Sequence, residues 1–201
     1  MEAINTKKII DKNSKEIDKR LKENENLKQL FEEQESLKDL LFETGKLLEN
    51  TVISVLKILG YKAENFDDGE LELDQIIHSP EGNRYIGECE GKDNKGIDVS
   101  KFRQLLDGLN ADFEKETVEE KAFGLLFGNP QRLTEPIKRK LDFTKKCKTG
   151  AKRENIGLIN TAELFKVCRY VKESNDEKFA ELCRKEIHKQ LGKIIIFPKI
   201  K

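Results

Sequence analysis

The sequence predicts an α/β fold, a mixed central β-sheet flanked by helices, with a long charged helix in front of it. Three observations carry this. From about residue 40 onward, helical spacing of apolar residues alternates with short strand-like runs. The segment Ala122 to Phe127, AFGLLF, is an unbroken apolar run closed by Gly128-Asn129-Pro130, the pattern of a strand covered on both faces. Residues 1 to about 45 contain no proline, and their first glycine is Gly45.

The 201 residues suffice for one domain with a proper core plus an appendage, and a second full domain is disfavoured. Charged residues make up 38% and aromatics 7%, so part of the chain is expected to be a solvated helix with no core of its own. Lys+Arg and Asp+Glu both number 38, which leaves no global basic signal, and any nucleic-acid contact has to come from a local patch. The four cysteines, Cys89, Cys147, Cys168 and Cys183, have no metal-type spacing. With no signal peptide and no membrane-length apolar run, the expectation is a cytoplasmic chain with reduced thiols and no membrane partner.

Over residues 1 to about 45, Ile10, Ile17, Leu21, Leu27, Leu30, Phe31, Leu37, Leu40 and Leu41 recur among Lys, Glu, Asn and Gln as a narrow helical stripe, of which residues 1–39 form the leader. A continuous helix here would be roughly 50 to 60 Å long, more than a small domain covers. It reads as a coiled-coil or docking arm, for a homodimer or a partner protein; a frayed charged leader is the competing reading. The α/β domain is expected over residues 40–201. It opens with Leu40 to Leu59 as one apolar helix stopped by Gly60, with Glu49 beside its core face. That acid is either a rim carboxylate or a functional one.

Tyr61 to Phe66 reads as a strand, then Asp67-Asp68-Gly69 as a turn. Glu70 to Lys92 reads as a hairpin around Ser79-Pro80-Glu81-Gly82-Asn83. Strand alternation puts Ile86, Glu88, Glu90 and Lys92 on one face and Tyr85, Gly87 and Cys89 on the other, with Asp74 of the preceding strand close to the acidic face. Grouped carboxylates repel unless a cation neutralises them, and a hard divalent ion with oxygen ligands is the usual solution. A lysine beside such an ion can orient a water, which makes the group a candidate for metal-assisted phosphodiester hydrolysis. The competing reading is the polar face of a half-exposed strand, with Lys92 pairing Asp74 across the hairpin.

After a polar loop, Ser100 is a plausible N-cap for an amphipathic helix carrying Phe102, Leu105, Leu106 and Leu109. Beyond the AFGLLF strand, Gln131 to Lys148 is the densest basic stretch, either a solvated face or a set of phosphate contacts from Arg132, Lys138, Arg139 and Lys140. Asn155 to Ile159 is a short apolar segment; Thr161 is a candidate N-cap for a helix over Ala162 to Lys172. A further helix runs from about Asp176 to Leu191 and stops at Gly192, and Lys193 to Phe197, KIIIF, reads as a closing strand. His78 and His188 have no partner acid at catalytic spacing and read as surface or turn residues.

These segments together resemble the PD-(D/E)XK, or restriction-endonuclease-like, superfamily over roughly residues 40 to 200. The resemblance lies in a helix with a glutamate (LLENTVISVLKILGY), Asp74 on one hairpin strand, Glu90-Gly91-Lys92 ending the next, then a glycine-containing loop, a glutamine-bearing helix (KFRQLLDGL) and an apolar strand. It implies a Mg2+- or Mn2+-dependent nuclease, acting on DNA more than RNA, in a defence or repair setting. Asp74 and Glu90 would be metal-binding carboxylates, with the Gly91 carbonyl a further ligand. Lys92 would position the attacking water. Glu49 would be an accessory acid, and Gln104 would reach the site from the following helix. Glu88 departs from the pattern, since the family more commonly has an apolar residue there; it would be a further ligand or a competitor for the metal. The alternative is a catalytically inactive member that keeps the fold to bind nucleic acid or a protein.

Overall fold

The computed structural model describes residues 2–200; the side chains of Glu2, Ala3, Gln29, Leu30, Glu33 and Gln34 lie outside the described residues, and with them Leu30 of the predicted stripe. By contacts the chain divides into two units, residues 1–36 and 37–201. The first is a single helix, α1 (Glu2–Ser36). Charged pairs such as Glu16–Arg20 and Lys19–Glu23 support it along one side, and Ile10, Ile17, Leu21, Leu27 and Phe31 are exposed. No described helix is long and apolar enough to cross a membrane.

The second unit begins with α2 (Asp39–Phe42) and α3 (Gly45–Ile58). Leu40 to Leu59 is therefore not one helix, because the chain goes extended at Glu43 and Thr44. The carbonyls that would have continued the helix are taken by distant donors. Arg139 Nη2 donates to Leu41 O, Arg132 Nη1 to Phe42 O at 2.8 Å, and Asn129 Nδ2 to Glu43 O at 2.9 Å. α3 stops where expected, with Gly60 at φ +88°.

Five strands follow in the spatial order of the chain: β1 (Lys62–Asp67), β2 (Glu72–His78), β3 (Arg84–Gly91), β4 (Phe123–Asn129) and β5 (Gly157–Asn160). The first three are antiparallel neighbours, and β3, β4 and β5 are parallel, joined by crossovers containing α4 (Val99–Phe113) and α5 (Lys145–Glu154). The chain ends with α6 (Thr161–Ser174) and α7 (Glu177–Lys189).

The sheet is covered on both sides. Ile77, Tyr85, Cys89, Leu125 and Phe127 pack toward α3, α6 and α7; Ile76, Ile86, Leu126 and Leu158 pack toward α4 and α5. This is why AFGLLF is apolar at every position. Each fully buried Leu or Phe here contributes roughly 1.5–3 kcal/mol.

Four further expectations change in detail. Asp98, not Ser100, caps α4, and Asn160, not Thr161, caps α6. KIIIF forms a single bridge, Leu158 to Ile194, instead of a strand, because Gln190 takes both the N–H and the carbonyl of Ile196. His188 is not a plain surface residue: its Nδ1 lies 3.0 Å from Tyr85 Oη, and its ring packs on Phe123.

Candidate functional site

The candidate site starts from an irregularity in β2. Between Leu73 and Ile76 this strand advances three residues while β1 advances two, from Phe66 back to Glu64. The extra residue puts Leu73 and Ile76 on the same side of the sheet and ends the β2–β3 ladder at Gln75 and Gly87. Asp74 lies where the two strands part. In place of a ladder bond, its Oδ2 accepts the backbone N–H of Cys89 at 2.9 Å, and Asn65 Nδ2 holds its carbonyl at 2.6 Å.

On β3, alternation holds. Tyr85, Gly87 and Cys89 face α3, and a Cβ at Gly87 would crowd Gln75 Oε1 at 2.4 Å, Phe127 at 3.0 Å and Ile77 at 3.2 Å. Glu88 and Glu90 project on the other face, only 4% and 7% exposed, where a sheet ordinarily carries apolar residues.

The two acids have different surroundings. Glu88 Oε1 is 2.7 Å from Lys101 Nζ in the first turn of α4, and the Asp74 carboxyl, held on the N–H of the next residue, Cys89, is its acidic neighbour. Burial, and after it the Asp74 charge, push Glu88 up to about 8 against the pull of Lys101. Burial disfavours the Lys101 ammonium, yet its pKa is raised, through the bond to Glu88 and the charges of Asp74 and Glu49. Glu90 Oε1 is 2.8 Å from Lys92 Nζ and accepts Ser100 Oγ at 3.2 Å, while Glu90 Oε2 is buried with no partner. Lys92 also reaches Asp98 Oδ2 at 3.5 Å, and its pKa is raised by Glu90 first and by Asp98 after it.

Lys101 thus pairs directly with Glu88 and feels the charges of Asp74 and Glu49, and Glu90, Lys92, Asp98 and Ser100 form a second group one strand step further on. Glu49 is mostly buried on α3, 3.3 Å from Lys46. Gln104 is exposed on α4, one turn beyond Ser100 and Lys101. Gly91 is explained by packing, since a Cβ there would stand 2.7 Å from Thr44 Cβ. Lys101, Ser100 and Asp98 were not singled out as site residues in the sequence; the available signal was their position after the polar loop that leads from β3 into α4.

The basic stretch separates into two kinds of residue. Arg139 is committed to Leu41, Thr134 and Arg132 carbonyls and to Asn129 Oδ1, and Arg132 to Asp93 and Phe42. These two arginines tie the turn after α2 to the loop after β4. Lys138, paired with Glu135, and Lys140 are exposed on the surface.

Among the described residues, no three His, Cys, Asp or Glu side chains stand together as a ready-made metal cage. The oxygens nevertheless fit a hard cation of the magnesium type, which commonly takes one or two carboxylates and completes its shell with water and phosphate. Asp74 and Glu88 are two neighbouring carboxyls at a strand end, and Glu90 Oε2 is a buried acceptor lacking a donor. A hollow of about 610 Å³ among α3, α6 and α7 lies away from these acids.

The Glu88 shift has a measurable consequence. Because folding raises its pKa, the folded protein binds more protons than the unfolded chain from the ordinary carboxyl range up to about 8. Its contribution to stability is full below that window and is lost as pH rises through it. In cation-free buffer, the melting temperature of the wild type is expected to fall from pH 5 to 8 relative to Glu88→Gln. Parallel pH profiles for the two proteins would show that Glu88 titrates normally.

No known family profile and no curated protein sequence matches the chain. Among solved structures, the restriction endonuclease FokI bound to DNA superposes with a TM-score of 0.52 at 14% identity, covering 81% of this chain and 30% of that one. The chain spans less than a third of that endonuclease chain, and the likeness establishes the fold: a restriction-endonuclease-like α/β core with a mixed five-stranded sheet.

Proposed function

We propose that this restriction-endonuclease-like unit is a divalent-metal-dependent nuclease that hydrolyses phosphodiester bonds, in DNA more than RNA. The observation that carries the reading is the meeting of Asp74 and Glu88 where β2 leaves β3, beside the buried, half-satisfied Glu90. These acids would hold Mg2+ or Mn2+, and a bound ion would polarise the phosphate and help deprotonate a water. The chain's own contribution is positional. The bulge in β2 turns Asp74 toward β3, the buried strand β3 fixes Glu88 and Glu90, and Lys92 and Lys101 bring two ammonium groups beside them. Lys138 and Lys140 are the cations left for backbone phosphates once Arg132 and Arg139 serve the fold. The exposed apolar residues of α1 serve a homodimer or a docking partner, and two copies would present two sites to two strands.

A second reading has its own support. Each buried acid of β3 already has a lysine counter-ion, Glu88 with Lys101 and Glu90 with Lys92, so the site holds together without a metal. On that reading the unit is a non-catalytic module binding nucleic acid or protein. Incubation of the purified chain with supercoiled plasmid, single-stranded DNA and RNA, each with Mg2+ or Mn2+, separates the two. Nicked or linear products that EDTA prevents are expected. Intact substrates throughout, with salt-sensitive binding, would sink the nuclease reading and favour the module.

A further inference from the structure

We infer that the ammonium meeting the reacting phosphate is Lys101 of α4, working with Asp74 and Glu88, and that Lys92 is a positioning residue which holds Glu90. This rests on the nuclease reading above and names the parts of its centre. Two lysines flank the acids, and their surroundings differ. Lys101 Nζ stands 2.7 Å from Glu88 Oε1 with no second ion pair among the described residues, and the more distant charges of Asp74 and Glu49 act on it as well.

Lys92 is clamped instead. Its ammonium lies between Glu90 Oε1 at 2.8 Å and Asp98 Oδ2 at 3.5 Å, and Asp98 is itself fixed as the cap of α4 through the N–H and Oγ of Ser100. Its backbone is tied too, with its N–H donating to Asn129 O and its carbonyl accepting from Arg132 N. Such a side chain orients Glu90. With Oε1 held by Lys92 and Ser100, Glu90 Oε2 is left buried and unpartnered on the strand face it shares with Glu88. A buried carboxylate oxygen without a donor is the independent sign that a ligand belongs beside these acids.

In the reaction, the oxygen of a water forms a bond to phosphorus and one ester P–O bond breaks. The water gives up a proton to solvent, and the leaving oxygen takes one up. Lys101 stays protonated throughout and offsets the charge that builds on the non-bridging oxygens, as a pre-placed electrostatic partner does.

The test uses the full chain, duplex DNA and Mn2+ alone as the cation probe, with thermal melting to show that each variant folds. Lys101→Met is expected to lower cleavage at saturating Mn2+ by about a hundredfold or more. It should leave Mn2+ binding intact or tighter, since a competing charge has been removed, and Lys101→Arg should recover part of the rate. Lys92→Met is expected to weaken Mn2+ binding about tenfold, as loss of an outer-shell partner does, and to lower the saturated rate much less than Lys101→Met. Loss of the saturated rate in Lys92→Met equal to or greater than that in Lys101→Met overturns the assignment. Should the wild type cleave nothing, the nuclease reading fails by itself, and Mn2+ binding decides the centre. Binding lost in Glu88→Gln and tightened in Lys101→Met upholds the arrangement, and binding indifferent to both overturns it.

Discussion

Asp74→Asn is expected to reduce cation-dependent cleavage by about a hundredfold or more while the protein stays folded. The choice of asparagine matters because Asp74 has two tasks. Its Oδ2 accepts the N–H of Cys89 at the point where the β2–β3 ladder ends. Alanine would leave that N–H without its acceptor, at a cost of about 1–3 kcal/mol, and a loss of activity would then be confounded with damage to the strand end. Asparagine keeps an acceptor oxygen and removes the charge. It also relieves the repulsion that raises Glu88, so Glu88 should titrate closer to the ordinary carboxyl range. Cleavage rate and melting temperature measured on the same preparation check this. A folded Asp74→Asn protein that cleaves within a few-fold of the wild type removes Asp74 from the site.

The largest effect on stability is expected from Arg84→Met. Arg84 at the start of β3 grips Asp112 near the end of α4 with both ends of its guanidinium, Nη1 to Oδ2 and Nη2 to Oδ1, each at 2.6 Å. Asp112 is 2% exposed, so removing the arginine strands a carboxylate in the interior. Breaking such a pair on one side costs about 3–5 kcal/mol, whereas replacing both partners by apolar groups is often nearly neutral. For a unit of this size, that corresponds to a drop in melting temperature of roughly 10 °C. The double variant Arg84→Met/Asp112→Leu should recover most of it. Equal melting temperatures for Arg84→Met and the wild type would show that the pair contributes nothing. Because the pair fixes the far end of α4 to β3, a weakened Arg84 variant also tests whether the helix holds Lys101 in place.

Much of the architecture was legible in the sequence because it depends on local chemistry. Period-two alternation from Tyr85 to Glu90 sorted that strand's side chains onto their two faces, and an unbroken apolar run marked the strand covered on both sides. Gly60 stopped α3 as its freedom at positive φ allows. The acids Asp74, Glu88 and Glu90 stood out because carboxylates on a core-facing strand need a reason.

What the sequence could not settle involved partners far apart in the chain. The break after α2 is set by Asn129, Arg132 and Arg139, some ninety residues away, and those same contacts turn two basic residues from phosphate candidates into struts. α5 was hidden under the basic stretch, since only Cys147 and Ala151 of its ten residues are buried. The bulge at Asp74 depends on how three strands pair, and no spacing rule marks it.

The sequence by itself determined the layered α/β order and the strand face that carries the acids, because side-chain periodicity and turn chemistry act within a few residues. Only the tertiary structure decided which acid meets Asp74 and which lysine stands beside it. That choice is made by the strand pairing and by the path of α4 across the sheet, where burial makes each unpaired charge costly enough to select its partner.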